Sequence, residues 1–251
     1  ASTMDASALA YRKQRGLDNL DEQMAILVQR VSGSLFDRFF MPLAAGVGYS
    51  HNAWRWDSSI DPSAGMLRLV AGLGTRAVDR TGSDYPRIVS LSNPDSDPSG
   101  GKDRARYSQH SIDCLDLEKR DIVTMPLDSI LPQLPSWIHS FIVEHDYETE
   151  RRLTDMDSYR PVFIGSCSGL VKDRLFLQDI KLILQSLQSE YKNPVDIEFT
   201  VNKAPGGDYL INLLQCRPLQ TAGSKKPVEG FKIDENALKH SDKDKIFISL
   251  H

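Results

Sequence analysis

The strongest constraint on the fold is a pair of segments late in the chain. PVDIEFTVN (194–202) and YLINLLQCRPL (209–219) are joined by the polar, glycine-bearing stretch KAPGGD. Strand, glycine turn, strand reads as an antiparallel hairpin. Alternation along the first strand puts Asp196, Glu198 and Thr200 on one face and Val195, Ile197, Phe199 and Val201 on the other. On the second strand Gln215 and Arg217 share a face, and Leu214 and Cys216 point the opposite way. One side of the hairpin is therefore apolar and must be covered.

The cover is legible just upstream. Between residues 173 and 191, Phe176, Ile180, Ile183, Leu184, Leu187 and Tyr191 recur at helical spacing. AILVQRV (25–31) reads as a short buried strand, because Gly33 follows at once. AAGVGYS leads into a strand near 45–50, and MLRLVAGLG into a strand and a turn at Gly72 and Gly74. YPRIVSLSNP reads as another strand, and 95–106 as a solvated loop. Residues 107–160 look irregular, with short strands and a helical piece around 131–144. The expected architecture is α+β: a mixed β-sheet with packed helices, the 173–191 helix on one face. No internal repeat is present.

If the polar faces of the two hairpin strands coincide, two carboxylates, an amide oxygen and a guanidinium converge. Two residues along a strand span roughly 6–7 Å, so Asp196 and Glu198 can reach one ion. Magnesium prefers oxygen ligands and commonly binds through one or two carboxylates plus substrate phosphates. Arginine offers a planar fork suited to phosphate oxygens. Nucleotide phosphoryl transfer needs such positioning and charge neutralisation. The alternative is a half-exposed sheet whose polar side carries ordinary surface ion pairs.

Composition narrows the classes. A net charge of -4 over 251 residues argues against a nucleic-acid binder. No apolar run approaches the roughly 20 residues of a membrane span. The three cysteines, Cys114, Cys167 and Cys216, are widely spaced and form no CxxC pair, so a reducing, cytoplasmic setting is expected. His139 and His145 lack zinc-ligand spacing, Trp54 and Trp56 read as core caps, and EHDYETE (144–150) as a solvated face.

The hairpin segments resemble the end of the ATP-grasp domain of the phosphoenolpyruvate synthase and pyruvate phosphate dikinase family, which reads D-I-E and then L-Q-x-R-P. AILVQRV resembles the family's V-V-V-Q-x-M-V strand, AAGVGYSHN its G-V-x-F-T-x-N-P segment and LVAGLGTRAV its G-L-G-E turn. The resemblance implies the C-terminal lobe of an ATP-grasp fold over residues 25–219, after a helical lead-in (1–24) and before a charged linker that starts a following domain (220–251). It implies ATP and Mg2+ as cofactors. Asp196, Glu198 and Gln215 would hold the metal; Gln29, Glu198, Gln215 and Arg217 would bind the nucleotide, with Gln29 lining the adenine pocket. Arg217 would act catalytically on the phosphate chain. The family phosphorylates a histidine on a partner domain, which passes the group to pyruvate, so phosphohistidine and phosphoenolpyruvate/pyruvate-binding domains are the implied partners.

Two departures accompany the resemblance. Thr75-Arg76 stands where the family has an acidic residue after G-L-G. The family's nucleotide-binding lysine loop and its T-S-H segment have no counterpart, which implies an incomplete fragment without full activity that binds Mg-ATP weakly. Two rival readings follow: a non-catalytic nucleotide-binding or regulatory module, and a cysteine hydrolase whose nucleophile, Cys167, sits in the elbow-like GSCSG (165–169).

Overall fold

The structure is a computed structural model and describes Leu9, Arg12, Lys13, Gly16, 28–78, 84–98, 104–156, Ser158, 161–203 and 209–219. The chain divides into two compact units, residues 1–31 with His251, and 32–250. In the first, Leu9, Arg12 and Lys13 are helical. The strand expected over 25–31 does not form in its described part. Residues 28–33 have no regular structure, and Val28 and Val31 are 87% and 52% exposed. Gln29 and Arg30 interrupt the apolar run, and a strand buried on both faces cannot cover two such side chains. Residues 25–27 and 220–251 lie outside the described residues.

The second unit is built on two antiparallel sheets. In chain order the strands are β1 (Ser34–Phe36), β2 (Phe39–Met41), β3 (Ala44–Tyr49), β4 (Met66–Ala71), β5 (Arg87–Ser90), β6 (Ser111–Asp116), β7 (Asp121–Pro126), β8 (Val143–His145), β9 (Phe163–Gly165), β10 (Val195–Lys203) and β11 (Tyr209–Pro218). One sheet runs β11-β10-β3-β4-β5 and another β1-β2-β6-β7, while β8 and β9 pair separately. Every pairing of named strands is antiparallel, so the mixed sheet expected from sequence is corrected. The α+β class stands. Residues 107–156 hold the expected short strands, paired as the β6–β7 hairpin, and three helices at Leu127–Ile130, Ser136–Ile142 and Tyr147–Thr154, the second of them within the expected helical piece.

The apolar face of β10 sets the core. Val195, Ile197, Phe199 and Val201 are all buried. Against them packs the Arg174–Tyr191 helix, which buries Phe176, Ile180 and Leu184, one residue per turn. Its start is fixed by Asp173, whose carboxylate accepts from Leu175 N at 2.9 Å and Phe176 N at 3.1 Å. The neighbouring β3 makes room with glycine. A Cβ on Gly46 would stand 2.9 Å from Phe199 Cζ, and one on Gly48 would stand 3.0 Å from Ile197 Cγ1. Close approach of strand and aromatic ring is what glycine at these positions provides. No helix among the described residues is long and apolar enough to cross a membrane.

Phe176 joins helix to sheet and is fully buried. Phe176→Ala is expected to cost about 3–5 kcal/mol of unfolding free energy, by lost transfer and a residual cavity. Chemical denaturation of wild type and variant measures it, and a change below about 1 kcal/mol would contradict this packing.

Candidate functional site

Register decides which side chains share the opposite face. Directly opposed residues of an antiparallel ladder point the same way. The pairings Asp196↔Arg217, Asp196↔Tyr49, Tyr49↔Met66 and Met66↔Ser90 make one cross-strand row. Gln215, Glu198, Val47, Arg68 and Ile88 make the next. The two carboxylates, the amide and the guanidinium expected to meet therefore lie on one face, in two adjacent rows.

Within the first row, Arg217 Nε donates to Asp196 Oδ1 at 2.8 Å and Oδ2 at 2.9 Å. The Asp196 side chain is 11% exposed and that of Arg217 55%. The hydrogen bond to Asp196 holds the guanidinium above its ordinary value, so Arg217 stays charged. Only Nε is used in this pair, which leaves the outer edge of the guanidinium toward solvent. Glu198 is half-buried beside it, and Gln215 is exposed. Neither makes an ion pair among the described residues.

A bulge changes the rest of the face. Glu198 pairs with Gln215 but Phe199 with Leu213, so Leu214 is inserted in β11. Past that point the alternation of β11 reverses, and Asn212 stands opposite Thr200. Asn202 Nδ2 donates to Ser32 Oγ at 2.7 Å, and Ser32 Oγ donates to Asn212 Oδ1 at 2.9 Å. Strict alternation would have put Asn212 with Leu214 and Cys216, so this extension has no signal in the alternation. The hydroxyl of Thr200 is buried on this face without a partner among the described residues.

Gln29 belongs to the first unit and is exposed on a segment without regular structure, so the strand expected to carry it is not formed among the described residues.

Thr75 and Arg76 act inward. Thr75 Oγ1 donates to Asp113 Oδ2 at 2.5 Å, and Arg76 reaches Asp84 at 2.7 Å and Asp113 at 3.1 Å. They tie the short Thr75–Val78 helix to β6. Burial would raise the Asp113 carboxyl, but hydrogen bonds from Thr124, Thr75 and Arg76 outweigh it and hold the group below its ordinary value.

Cys167 has the backbone of an elbow and lacks the chemistry of one. It follows β9, adopts φ 48° and ψ 34°, and precedes the Ser168–Val171 helix. Yet it is 1% exposed, and burial pushes its thiol up to about 12. The hydrolase reading falls with that, since the attacking species is the thiolate. The glycines of GSCSG serve packing: a Cβ on Gly169 would stand 2.6 Å from Phe141 Cα, and one on Gly165 would stand 2.9 Å from Gln109 Cβ.

Other expectations divide. His139 Nε2 lies 2.8 Å from Leu131 O, and His145 Nε2 lies 2.8 Å from Glu150, so both are structural. In the acidic run Glu144 pairs with Arg104 and Lys172, and Glu150 also accepts from Val162 N, so only part of it is solvated. In the 95–106 loop Asp97 pairs with Arg87 at 2.8 Å. Trp54 is 52% exposed and lines a cavity instead of capping the core, because it lies on an irregular segment at the end of β3. That cavity, of about 760 Å³, opens over the β3–β4–β5 part of the face that carries Asp196 and Arg217.

Comparison with protein families matches residues 1–237 to "Pyruvate phosphate dikinase, AMP/ATP-binding domain". The match spans most of the chain and names the AMP/ATP-binding domain as such, so the narrower expectation of its C-terminal part is corrected to that statement. No curated protein matches the chain.

Two measurements check this geometry. With a pKa of about 12, on the order of one Cys167 thiol in 10⁵ is ionised at pH 7. Mild alkylation should leave it unlabelled until the protein is denatured; fast labelling of the native state would show an activated thiol. Asp113 has a folded pKa below its unfolded one, so its stabilisation is present above about 3.8 and is lost as pH falls through the lower, folded value. Asp113→Asn should flatten the stability–pH profile in that acid window, and an unchanged acid limb would contradict the assignment.

Proposed function

The chain belongs to the family of the pyruvate phosphate dikinase AMP/ATP-binding domain, and on that premise we propose that it binds Mg-ATP across the polar face of β10 and β11 for phosphoryl transfer. The observation that carries the reading is the register. Asp196 opposite Arg217, and Glu198 opposite Gln215, gather an acid–amide pair and an acid–guanidinium pair in adjacent rows of one face.

The residues fit a magnesium ion in part. Both oxygens of Asp196 accept from Arg217. Among the described residues no three His, Cys, Asp or Glu side chains gather to form a closed cage. An open site is what magnesium in phosphoryl-transfer enzymes uses, with one or two carboxylates and substrate phosphates completing the shell. Glu198 and Gln215 would supply the protein oxygens, and Asp196 would support the ion or its waters. The metal, when bound, would neutralise charge on the phosphate oxygens.

Arg217 does two things in this scheme. Its Nε is held by Asp196, which fixes the plane of the guanidinium. Its outer edge is then pre-oriented to donate to phosphate oxygens, so little side-chain freedom is lost when the nucleotide arrives. Asp196 is thus a positioning residue for Arg217 as well as a metal-side carboxylate. The acceptor in this reading is a histidine on a partner domain, which hands the phosphoryl group toward pyruvate or a related acid.

A second reading is supported by Thr75-Arg76. Thr75-Arg76 stands where the family carries an acid after G-L-G, and Arg76 is consumed in ion pairs with Asp84 and Asp113. A nucleotide-binding module without transfer chemistry would tolerate that exchange. Release of AMP from ATP by the purified protein would decide for the enzyme.

Calorimetric titration with Mg-ATP tests the site. Glu198→Gln and Arg217→Met should each weaken binding by about tenfold or more, since a hydrogen bond to a charged group is worth roughly 1.5–3 kcal/mol. Chelation of magnesium should weaken wild type and leave Glu198→Gln nearly unchanged. Equal Mg-ATP affinity in wild type and both variants, with circular dichroism unchanged, would remove the hairpin from the site.

A further inference from the structure

The cavity beside the hairpin has a chemistry of its own, which the nucleotide reading does not use. Its floor is the same sheet face: Tyr49 and Met66 from the first cross-strand row, and Arg68 and Ile88 from the second. Its walls bring in Trp54 and the edge-to-face pair Tyr85–Tyr107, whose ring centroids are 5.4 Å apart. At about 760 Å³ it falls within the range of roughly 300–1,000 Å³ usual for small-molecule sites. Apolar and aromatic surface around a few convergent polar groups is the usual make-up of such sites.

The polar groups say which ligand. Arg87 and Arg104, which also line the cavity, are matched by Asp97 and Glu144. Asp84 is matched by Arg76. Arg68 is different: it makes no ion pair among the described residues, and Val47 separates it from Glu198 in the row. An unmatched guanidinium on an apolar floor is a ready partner for an anion, because the low-dielectric surroundings strengthen the contact. Ser166 supplies a second signal. It is 3% exposed, it lines the cavity, and its hydroxyl has no partner among the described residues. A buried unpaired hydroxyl is costly unless something satisfies it.

We infer that this cavity is a ligand site for a planar aromatic anion, with the ring among Trp54, Tyr85 and Tyr107, the acidic group on Arg68 and a polar atom against Ser166 Oγ. Edge and face contacts to three aromatic rings select a flat apolar body. The single unmatched cation selects one negative charge. Tyr49 stands between Asp196 and Met66 in its row, so the ligand lies one strand from the carboxylate–arginine pair. The inference goes beyond the Mg-ATP site and stands without it.

The test uses 2-naphthoate, uncharged 2-naphthalenemethanol and acetate as probes in calorimetric titrations of the whole chain. The naphthoate is expected to bind at least tenfold more tightly than either other probe. Arg68→Met should remove the advantage over the alcohol, Arg68→Lys should keep part of it, and Ser166→Ala should weaken naphthoate severalfold. Saturating Mg-ATP should leave naphthoate binding within twofold. The inference is overturned if naphthoate fails to bind, if it matches the alcohol, or if Arg68→Met binds it as wild type does. Displacement by Mg-ATP would also overturn it, by giving the cavity to the nucleotide. Loss of Mg-ATP binding in Glu198→Gln with naphthoate intact would show the two sites succeeding or failing separately.

Discussion

Everything in the larger unit depends on the two-sidedness of β10. Val195, Ile197, Phe199 and Val201 are buried against the Arg174–Tyr191 helix, and that burial leaves Asp196, Glu198, Thr200 and Asn202 no choice but the other face. A one-residue slip of β10 would expose an aromatic ring and drive carboxylates into the core. The hydrophobic face therefore fixes the polar one, and the cost of misregister holds the site in place more firmly than any contact within it. The Asp196–Arg217 pair belongs to the candidate site and does not set the register: it joins a buried carboxylate to an arginine more than half exposed, where solvent screens the charge.

The features legible in the sequence share one property, which is regular period. The 174–191 helix and its buried residues followed from a 3.6-residue repeat, and the β10–β11 hairpin from alternation with glycines between. Asn212 shows where period fails. Leu214, one extra residue in β11, reverses the alternation beyond it and brings Asn212 to the polar face. Nothing local distinguishes Leu214 from Leu213, because a bulge is settled by the partner strand. The wholly antiparallel order of the central sheet was illegible for the same reason: alternation shows that a strand has two faces and says nothing of the direction of its neighbour.

Other misreadings come from taking a motif as local. GSCSG has the strand, the left-handed residue and the helix of a nucleophile elbow, and the sequence could not show that Cys167 would be sealed under the Ser136–Ile142 helix. AILVQRV, an aliphatic run followed at once by Gly33, suggests a buried strand, whereas burial needs cover on both faces, and Gln29 and Arg30 prevent that in the described part. Trp54, alternating with Trp56 near a turn, suggests a core cap. Its place at the cavity is a consequence of where β3 ends. Arg76 is the reverse case. With Thr75 it stands where the family has an acid near the nucleotide, and Asp84 and Asp113, 8 and 37 residues further on, turn it into an internal tie.

The middle strand of the sheet divides the polar face into two parts. In β3 the core side holds Gly46 and Gly48, which admit Phe199 and Ile197. The opposite side holds Ala45, Val47 and Tyr49, packed in a small cluster with Val70 and Ala77. Small apolar residues there keep the centre of the face low and uncharged, between Asp196 and Glu198 on β10 and Arg68 on β4. Had β3 carried a charge at Val47, a cation would pair with Glu198 and an anion with Arg68, so one of the two would be engaged and the other repelled. The apolar strip of β3 thus separates an acidic, arginine-edged hairpin from an aromatic cavity with its own cation, which keeps the two proposed sites apart on a single sheet.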